Sequence, residues 1–190
     1  MNEHFKIVEG ILSDLKEKYV NSCTAEIVDP TAPITERDIV SEIYCRLKNF
    51  CHSADLYPHT EIKPAPSESI DPGELRRLPQ IDVVILKNLG AKTWISSAAK
   101  IQNRYKKGLI EARFGSIPIE FFHTAIEVKI QSNVRDAQKD IDTLANIFEQ
   151  NKLCNCFMVL LNARGHRKDH SKIKQYAEHK SINLIEYTCN

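Results

Sequence analysis

The sequence lacks several features that would mark a specialised class of protein. No stretch approaches the ~18 consecutive apolar residues of a membrane-spanning helix, so we expect no membrane span. Lysine and arginine number 26 against 25 aspartate and glutamate residues, and the resulting net charge of +1 excludes a histone-like polycation. Any affinity for nucleic acid must therefore come from a local basic patch.

Secretory and metal-binding signatures are also missing. The first ten residues, MNEHFKIVEG, contain no uninterrupted apolar run, so we expect no signal peptide and a cytoplasmic protein. The six cysteines form no C-x-x-C motif and are expected to be reduced thiols. Cys154 and Cys156 have a strand spacing that would permit metal binding, but small buried side chains are the favoured interpretation.

The apolar pattern predicts one domain over residues 1–190, in which helices and strands alternate. Helices are predicted over 2–20, over ERDIVSEIYCRLKNF, after a Ser132 or Asn133 cap, and over HRKDHSKIKQYAEHK. Strands are predicted at LYPHTEIKP, QIDVVIL, FFHTAIEVKI, CFMVLLN and INLIEYT. Helices between apolar strands indicate an α/β fold, with a mixed central sheet covered by helices on both faces.

The strand FFHTAIEVKI carries two opposite charges in an otherwise apolar run. Glu127 and Lys129 are two residues apart, so their side chains leave the strand on the same side. Burying both charges is costly unless they are paired or used, and a structural ion pair is the simpler explanation. Asp82 is likewise an acid in an apolar strand, and Glu42 borders the buried stripe of the second helix.

Three carboxylates that converge would repel each other unless a cation lay among them. Mg²⁺ or Mn²⁺ suits oxygen ligands and keeps several waters beside few carboxylates. A lysine beside such a metal could orient a bound water or stabilise hydroxide, which suits in-line attack on a phosphodiester.

At these residues the sequence resembles the PD-(D/E)xK nuclease superfamily, whose fold is called restriction-endonuclease-like. The resemblance lies in Asp82, then Glu127-Val128-Lys129 on a following strand, with a preceding helix that carries Glu42. It covers roughly residues 35–165 by the order of these elements. Two features depart from the family pattern: Pro79 is not adjacent to Asp82, and a long insertion separates Asp82 from Glu127.

The resemblance implies roles for individual residues. Asp82 and Glu127 would bind Mg²⁺ or Mn²⁺ with the carbonyl of Val128, and Glu42 would support the metal directly or through water. Lys129 would position or activate the attacking water.

The insertion, about residues 87–119, is strongly basic. Between Lys87 and Arg113 there are seven cations and one acid, Glu111. A helix over SSAAKIQNRYKKG would place Lys100, Arg104 and Lys107 on one face, a pattern suited to phosphate contact and equally to a solvated face. The candidate DNA-binding residues are Lys92, Lys100, Arg104, Lys106 and Lys107.

Two hypotheses of different kinds follow. The first is a metal-dependent endodeoxyribonuclease, with a homodimer or partner subunit for double-strand cleavage. A restriction or other defence role fits it, and repair or mobile-element functions fit almost equally well. The second is a non-catalytic nucleic-acid-binding or assembly subunit that retains the nuclease fold. A small-molecule α/β enzyme is disfavoured because the sequence has neither a G-x-x-x-x-G-K nor a G-x-S-x-G motif.

Overall fold

The computed structural model describes residues 6, 8–14, 36–51, 54–65, 77–87, 116–130, 133–162 and 170–188. Within them, six strands form one mixed sheet in the order β3-β1-β2-β4-β5-β6. The strands are β1 (Leu56–Ala65), β2 (Ile81–Lys87), β3 (Ser116–Pro118), β4 (Phe122–Ile130), β5 (Asn155–Asn162) and β6 (Asn183–Thr188). β1, β2 and β4 pair antiparallel in succession, whereas β4, β5 and β6 are parallel.

Four helices cover the sheet in the part of the chain that the structure describes: α1 (residues 8–14), α2 (Glu36–Cys51), α3 (Val134–Gln150) and α4 (Ser171–His179). α3 begins where the sequence predicts, because the Asn133 side chain accepts a hydrogen bond from the Asp136 N–H at 2.9 Å. The predicted apolar stripe of α3 is buried at Ala137, Ile141 and Leu144.

The core lies in two layers, one on each face of the sheet. One layer packs α3 and α4 on the sheet and includes Ala125, Leu144, Met158 and Ile173. The other packs α1 and α2 on the opposite face and includes Leu12, Ile43, Val83 and Val159. The predicted fold class, a mixed central sheet with helices on both faces, is therefore confirmed.

The apolar pattern of the sequence does not predict β3. Residues Ser116–Pro118 pair parallel with β1 through Lys63, Pro64 and Ala65, and they lie within the stretch interpreted as an insertion. A three-residue strand has too little alternation to be recognised from sequence. The rest of that insertion, residues 88–115, lies outside the described residues.

Other expectations are tested only in part. Residues 8–14 of the predicted first helix are helical, and the remainder of 2–20 falls largely outside the described residues. Among the described helices, none is long and apolar enough to cross a membrane.

Candidate active site

Asp82 and Glu127 come together across the β2–β4 pair. The register pairs Val83 with Ile126 and Val84 with Ala125, so its next step places Asp82 opposite Glu127. Just beyond the last registered pair, the Val128 N–H donates a 2.7 Å hydrogen bond to Asp82 Oδ2. Glu127 therefore points toward Asp82, as the predicted site requires.

The surroundings of Glu127 disfavour the charged form of its carboxyl group. It is only 3% exposed, and burial is the main cause that raises its pKa well above the usual range. Repulsion by Asp82 and Asp140 and a hydrogen bond with Asp82 raise the pKa further, against the opposing attraction of Lys129. A proton or a bound cation would stabilise Glu127 here, because either one offsets the repulsion by Asp82 and Asp140.

Lys129 is held between two acids from different helices. Its Nζ lies 3.2 Å from Glu36 Oε1 at the start of α2 and 3.4 Å from Asp140 Oδ2 in α3. Burial lowers the pKa of Lys129, but the surrounding carboxylates, Asp140 and Glu36 foremost, outweigh it and raise the pKa. Lys129 is therefore a charged donor at neutral pH, suited to orienting a water or phosphate oxygen rather than to accepting a proton.

Glu36, at the start of α2, is the helix acid that contacts Lys129. Glu42 accepts a 3.2 Å hydrogen bond from Arg46 one turn on, in a partly exposed pair. Six residues of helix separate Glu36 from Glu42, which is about 9 Å along the axis and about 120° around it. The role of Glu42 beside Asp82 and Glu127 stays a prediction, whereas Glu36 contacts Lys129 and lines a cleft with Asp82.

Asp140 is a site residue that the sequence did not reveal. Its Oδ2 is buried and has no hydrogen-bond partner, although Lys129 Nζ is within ion-pair distance. Burial raises the pKa of Asp140, while Lys129 lowers it. In the sequence Asp140 is an ordinary acid beside the buried stripe of α3, and nothing marks it as different from Asp136 or Asp142.

The side-chain alternation of β1 is interrupted next to Asp82, so the faces to which its residues point are exchanged. Leu56 and Ile62 are an even number of residues apart, yet they pack in opposite layers of the core. Glu61, between them, has φ 57°, a left-handed conformation that non-glycine residues rarely adopt. Because the β1–β2 register pairs Thr60 with Val83 and Ile62 with Ile81, Glu61 lies beside Asp82 at the cleft.

The donor set fits a hard divalent cation. Asp82 and Glu127 present adjacent oxygen donors, and one or two carboxylates are what Mg²⁺ usually takes from a protein. The Val128 carbonyl leaves β4 on the same side as its N–H, toward Asp82. Among the described residues no group of three or more His, Cys, Asp or Glu side chains is arranged to hold a metal, so substrate or water oxygens would have to complete the shell.

The cysteine pair noted in the sequence is buried. Cys154 and Cys156 are 2% and 3% exposed, with their sulfurs 3.9 Å apart, as the buried interpretation predicts. His170, a buried histidine before α4, has its Nδ1 3.0 Å from Glu186 Oε1 in β6.

The basic residues proposed for DNA contact are not tested by the structure. Lys92, Lys100, Arg104, Lys106 and Lys107 all lie outside the described residues. Lys87, at the end of β2, donates to the Glu120 carbonyl at 3.0 Å. This contact fastens the start of the insertion to the 3-10 turn Ile119–Phe121.

The chain was compared with family models, curated proteins and solved structures. No family model matches the chain, and no curated protein matches it. Among solved structures, the chain resembles one described as P. aeruginosa ATCC27853 NucC in its cAAA-bound form. The match covers 95% of this chain and 74% of that one, at 6% sequence identity and a TM-score of 0.43. A likeness this distant transfers neither residues nor an activity, so the site is interpreted from its own geometry.

Proposed function

We propose that this protein is a divalent-metal-dependent nuclease that hydrolyses DNA phosphodiester bonds internally. The supporting observation is the meeting of Asp82 and Glu127 across β2 and β4, with the cation of Lys129 two residues further along the same strand. A structural ion pair would need Glu127 and Lys129 to satisfy each other. Lys129 instead bonds Glu36 and Asp140, and Glu127 lies against Asp82.

Each side chain has a separate task in this proposal. Asp82 and Glu127 would hold Mg²⁺ or Mn²⁺ with the Val128 carbonyl, and the bound ion would supply charge neutralisation and a more acidic water. Lys129, kept protonated by Glu36 and Asp140, would orient the attacking water toward phosphorus. Asp140 and Glu36 act through Lys129 as positioning residues.

One site cuts one strand, so double-strand cleavage would require two copies of the chain or a partner subunit. A homodimer with a two-fold axis is the simplest arrangement for a compact duplex cutter. A role in restriction or another defence system is part of this proposal.

A plasmid-nicking assay tests the proposed function. Wild type, Asp82→Ala and Lys129→Ala would be incubated with supercoiled DNA in Mg²⁺, Mn²⁺ and EDTA. We expect nicking by wild type in either metal, none in EDTA, and a loss of about a hundredfold or more in both variants. Equal residual cleavage by all three proteins would exclude this site and favour a non-catalytic nucleic-acid-binding subunit.

A further inference from the structure

A stripe of basic, hydroxyl and aromatic side chains runs along α2 away from the candidate active site. Arg37, Ser41, Tyr44 and Lys48 are spaced i, i+4, i+7 and i+11, so they share one face of the helix. The stripe spans about 16 Å at the rise of an α-helix. Arg37, Ser41 and Lys48 are exposed, and Tyr44 is half-buried.

The stripe lines two cavities between α2 and β1. The first is a cleft of about 720 Å³ bordered by Arg37, Ser41, Tyr44, Glu61 and Asp82. The second has a volume of about 460 Å³, lies beyond Tyr44, and is largely apolar. Its lining is Tyr44, Lys48, Asn49, Asp55, Leu56, Tyr57, Pro58 and His59.

Tyr44 borders both cavities, so they lie next to each other between α2 and β1, and together they are called the α2–β1 groove. One end of the groove is at Asp82, whose carboxyl lies against Glu127, and the other end is at Lys48. Among the described residues, neither Arg37 nor Lys48 forms an ion pair. Asp55, the acid of the second cavity, accepts a 3.1 Å hydrogen bond from the Tyr57 hydroxyl.

This combination matches the chemistry of an unpaired nucleic-acid strand. Cations along a groove attract phosphates, and aromatic rings accept the face of any base. A base within a duplex is already stacked on both sides, so it cannot enter a cavity without leaving the helix. The cavity is of the size that takes a small organic ligand, and its polar groups from Asn49 and His59 could meet a base edge.

We propose that the α2–β1 groove holds a single DNA strand that leads away from the scissile phosphate. Arg37 and Lys48 contact its phosphates, and one unstacked base occupies the second cavity against Tyr44. The inference rests on the proposed function for the position of the cut. It adds a substrate class, DNA with an unpaired strand beside the cleavage point.

The test is a double-mutant cycle between the protein and the DNA. The probe is a fluorescently labelled duplex with a single-stranded tail of either polarity, and its affinity is measured by anisotropy in EDTA and in Ca²⁺. In a tail series, one abasic site is moved along the strand. We expect wild type to bind tailed DNA more tightly than blunt duplex, and one abasic position to weaken binding about tenfold.

Variants of Tyr44 test whether the base at that abasic position stacks on its ring. In Tyr44→Leu the same abasic position should cost less than about twofold, because the ring that held the base is gone. Tyr44→Phe keeps the ring and should behave as wild type. Lys48→Gln should weaken binding of the tail and lower its salt dependence, whereas Lys152→Gln, on the exposed turn after α3, should change neither.

These experiments distinguish failure of the single-strand groove from failure of the proposed nuclease activity. Equal affinity for blunt and tailed DNA, or an abasic penalty that persists in Tyr44→Leu, overturns the single-strand groove even if wild type cleaves DNA in Mg²⁺. Coupling between Tyr44 and one base position, with no cleavage of any DNA by wild type, supports the groove and overturns the proposed nuclease activity. Circular dichroism of Tyr44→Phe and Tyr44→Leu confirms that both variants are folded.

Discussion

Single side chains show most clearly that this region is organised for something other than stability. Glu127 is buried beside another carboxyl, and Asp140 keeps a buried oxygen without a hydrogen-bond partner. A sheet optimised for stability would carry apolar residues at these positions, because buried charges rarely repay their desolvation. Such costs are typical of functional sites, where they are part of the chemistry.

The pH dependence of stability should show how much the buried charge of Glu127 lowers the free energy of unfolding. The pKa of Glu127 is raised in the folded protein, mainly by burial. Its stabilising contribution is therefore present below the ordinary glutamate pKa and is lost as pH rises through the folded-state pKa. In EDTA at neutral pH, Glu127→Gln should raise the Tm by about 3 °C or more.

At acid pH the two proteins should unfold at the same temperature, since Glu127 is then protonated in both states. Adding Mg²⁺ at neutral pH should narrow the difference, because the ion stabilises the charged carboxyl of wild type only. Thermal unfolding followed by circular dichroism measures both effects. A variant that is less stable than wild type at neutral pH would show that Glu127 is a structural residue.

Glu36 and Glu42 offer a matched pair on one helix. Glu36→Gln removes a partner of Lys129 and should lower the cleavage rate by about tenfold to a hundredfold, because a misplaced cation orients water poorly. Glu42→Gln removes the charge that pairs with Arg46, and such a pair contributes about 0.5 kcal/mol at a partly exposed helix position. Single-turnover rates compare them, and a larger loss in Glu42→Gln would support the assignment made from sequence.

At the scale of elements, sequence pattern succeeded wherever periodicity was long. The apolar stripe and Asn133 cap identified α3, β-branched runs identified β2 and β4, and an apolar run identified β5. The pattern failed for β3, which is three residues long, and it did not single out Glu36, which contacts Lys129. That contact depends on how α2 is rotated and where its start lies against β4, which no local spacing encodes.

Hydrogen bonds from Asn151, which follows α3, hold the end of that helix against the start of β4. The Asn151 amide donates to the Ile119 and Phe122 carbonyls at 2.9 and 3.0 Å, and its Oδ1 accepts from the Leu153 N–H at 3.3 Å. Asn151→Ala would remove three hydrogen bonds at a buried position, so we expect a loss of about 2 to 3 kcal/mol in the free energy of unfolding. Urea denaturation measures the loss. A change below about 0.5 kcal/mol would show that water replaces the amide.

The whole molecule is nearly neutral, but positive charge is concentrated in the stretch from Lys87 to Arg113. The predicted basic insertion joins β2, which carries Asp82, to the turn before β4, which carries Glu127. Its two ends therefore lie at strands that supply the candidate site. The sequence predicted the fold class and three of the residues that meet there, Asp82, Glu127 and Lys129. It missed Glu36 and Asp140, because their convergence depends on how two helices pack against the sheet.

The insertion makes its own prediction about DNA binding. Changing Lys100, Arg104 and Lys107 together to Ala should weaken binding, because fewer cations then neutralise phosphates. The slope of log affinity against log salt should fall by about one for each phosphate that is no longer neutralised. Anisotropy titrations over a range of salt concentrations measure the slope. An unchanged slope would show that these three side chains do not touch DNA.

The central claim is that Glu127 belongs to a metal-dependent catalytic site. The most direct measurement is the plasmid-nicking rate of Glu127→Gln in Mg²⁺, set beside wild type at neutral pH. The proposed site predicts a rate lowered by about a hundredfold or more in a protein at least as stable as wild type. Nicking at the wild-type rate by a folded Glu127→Gln protein would contradict it.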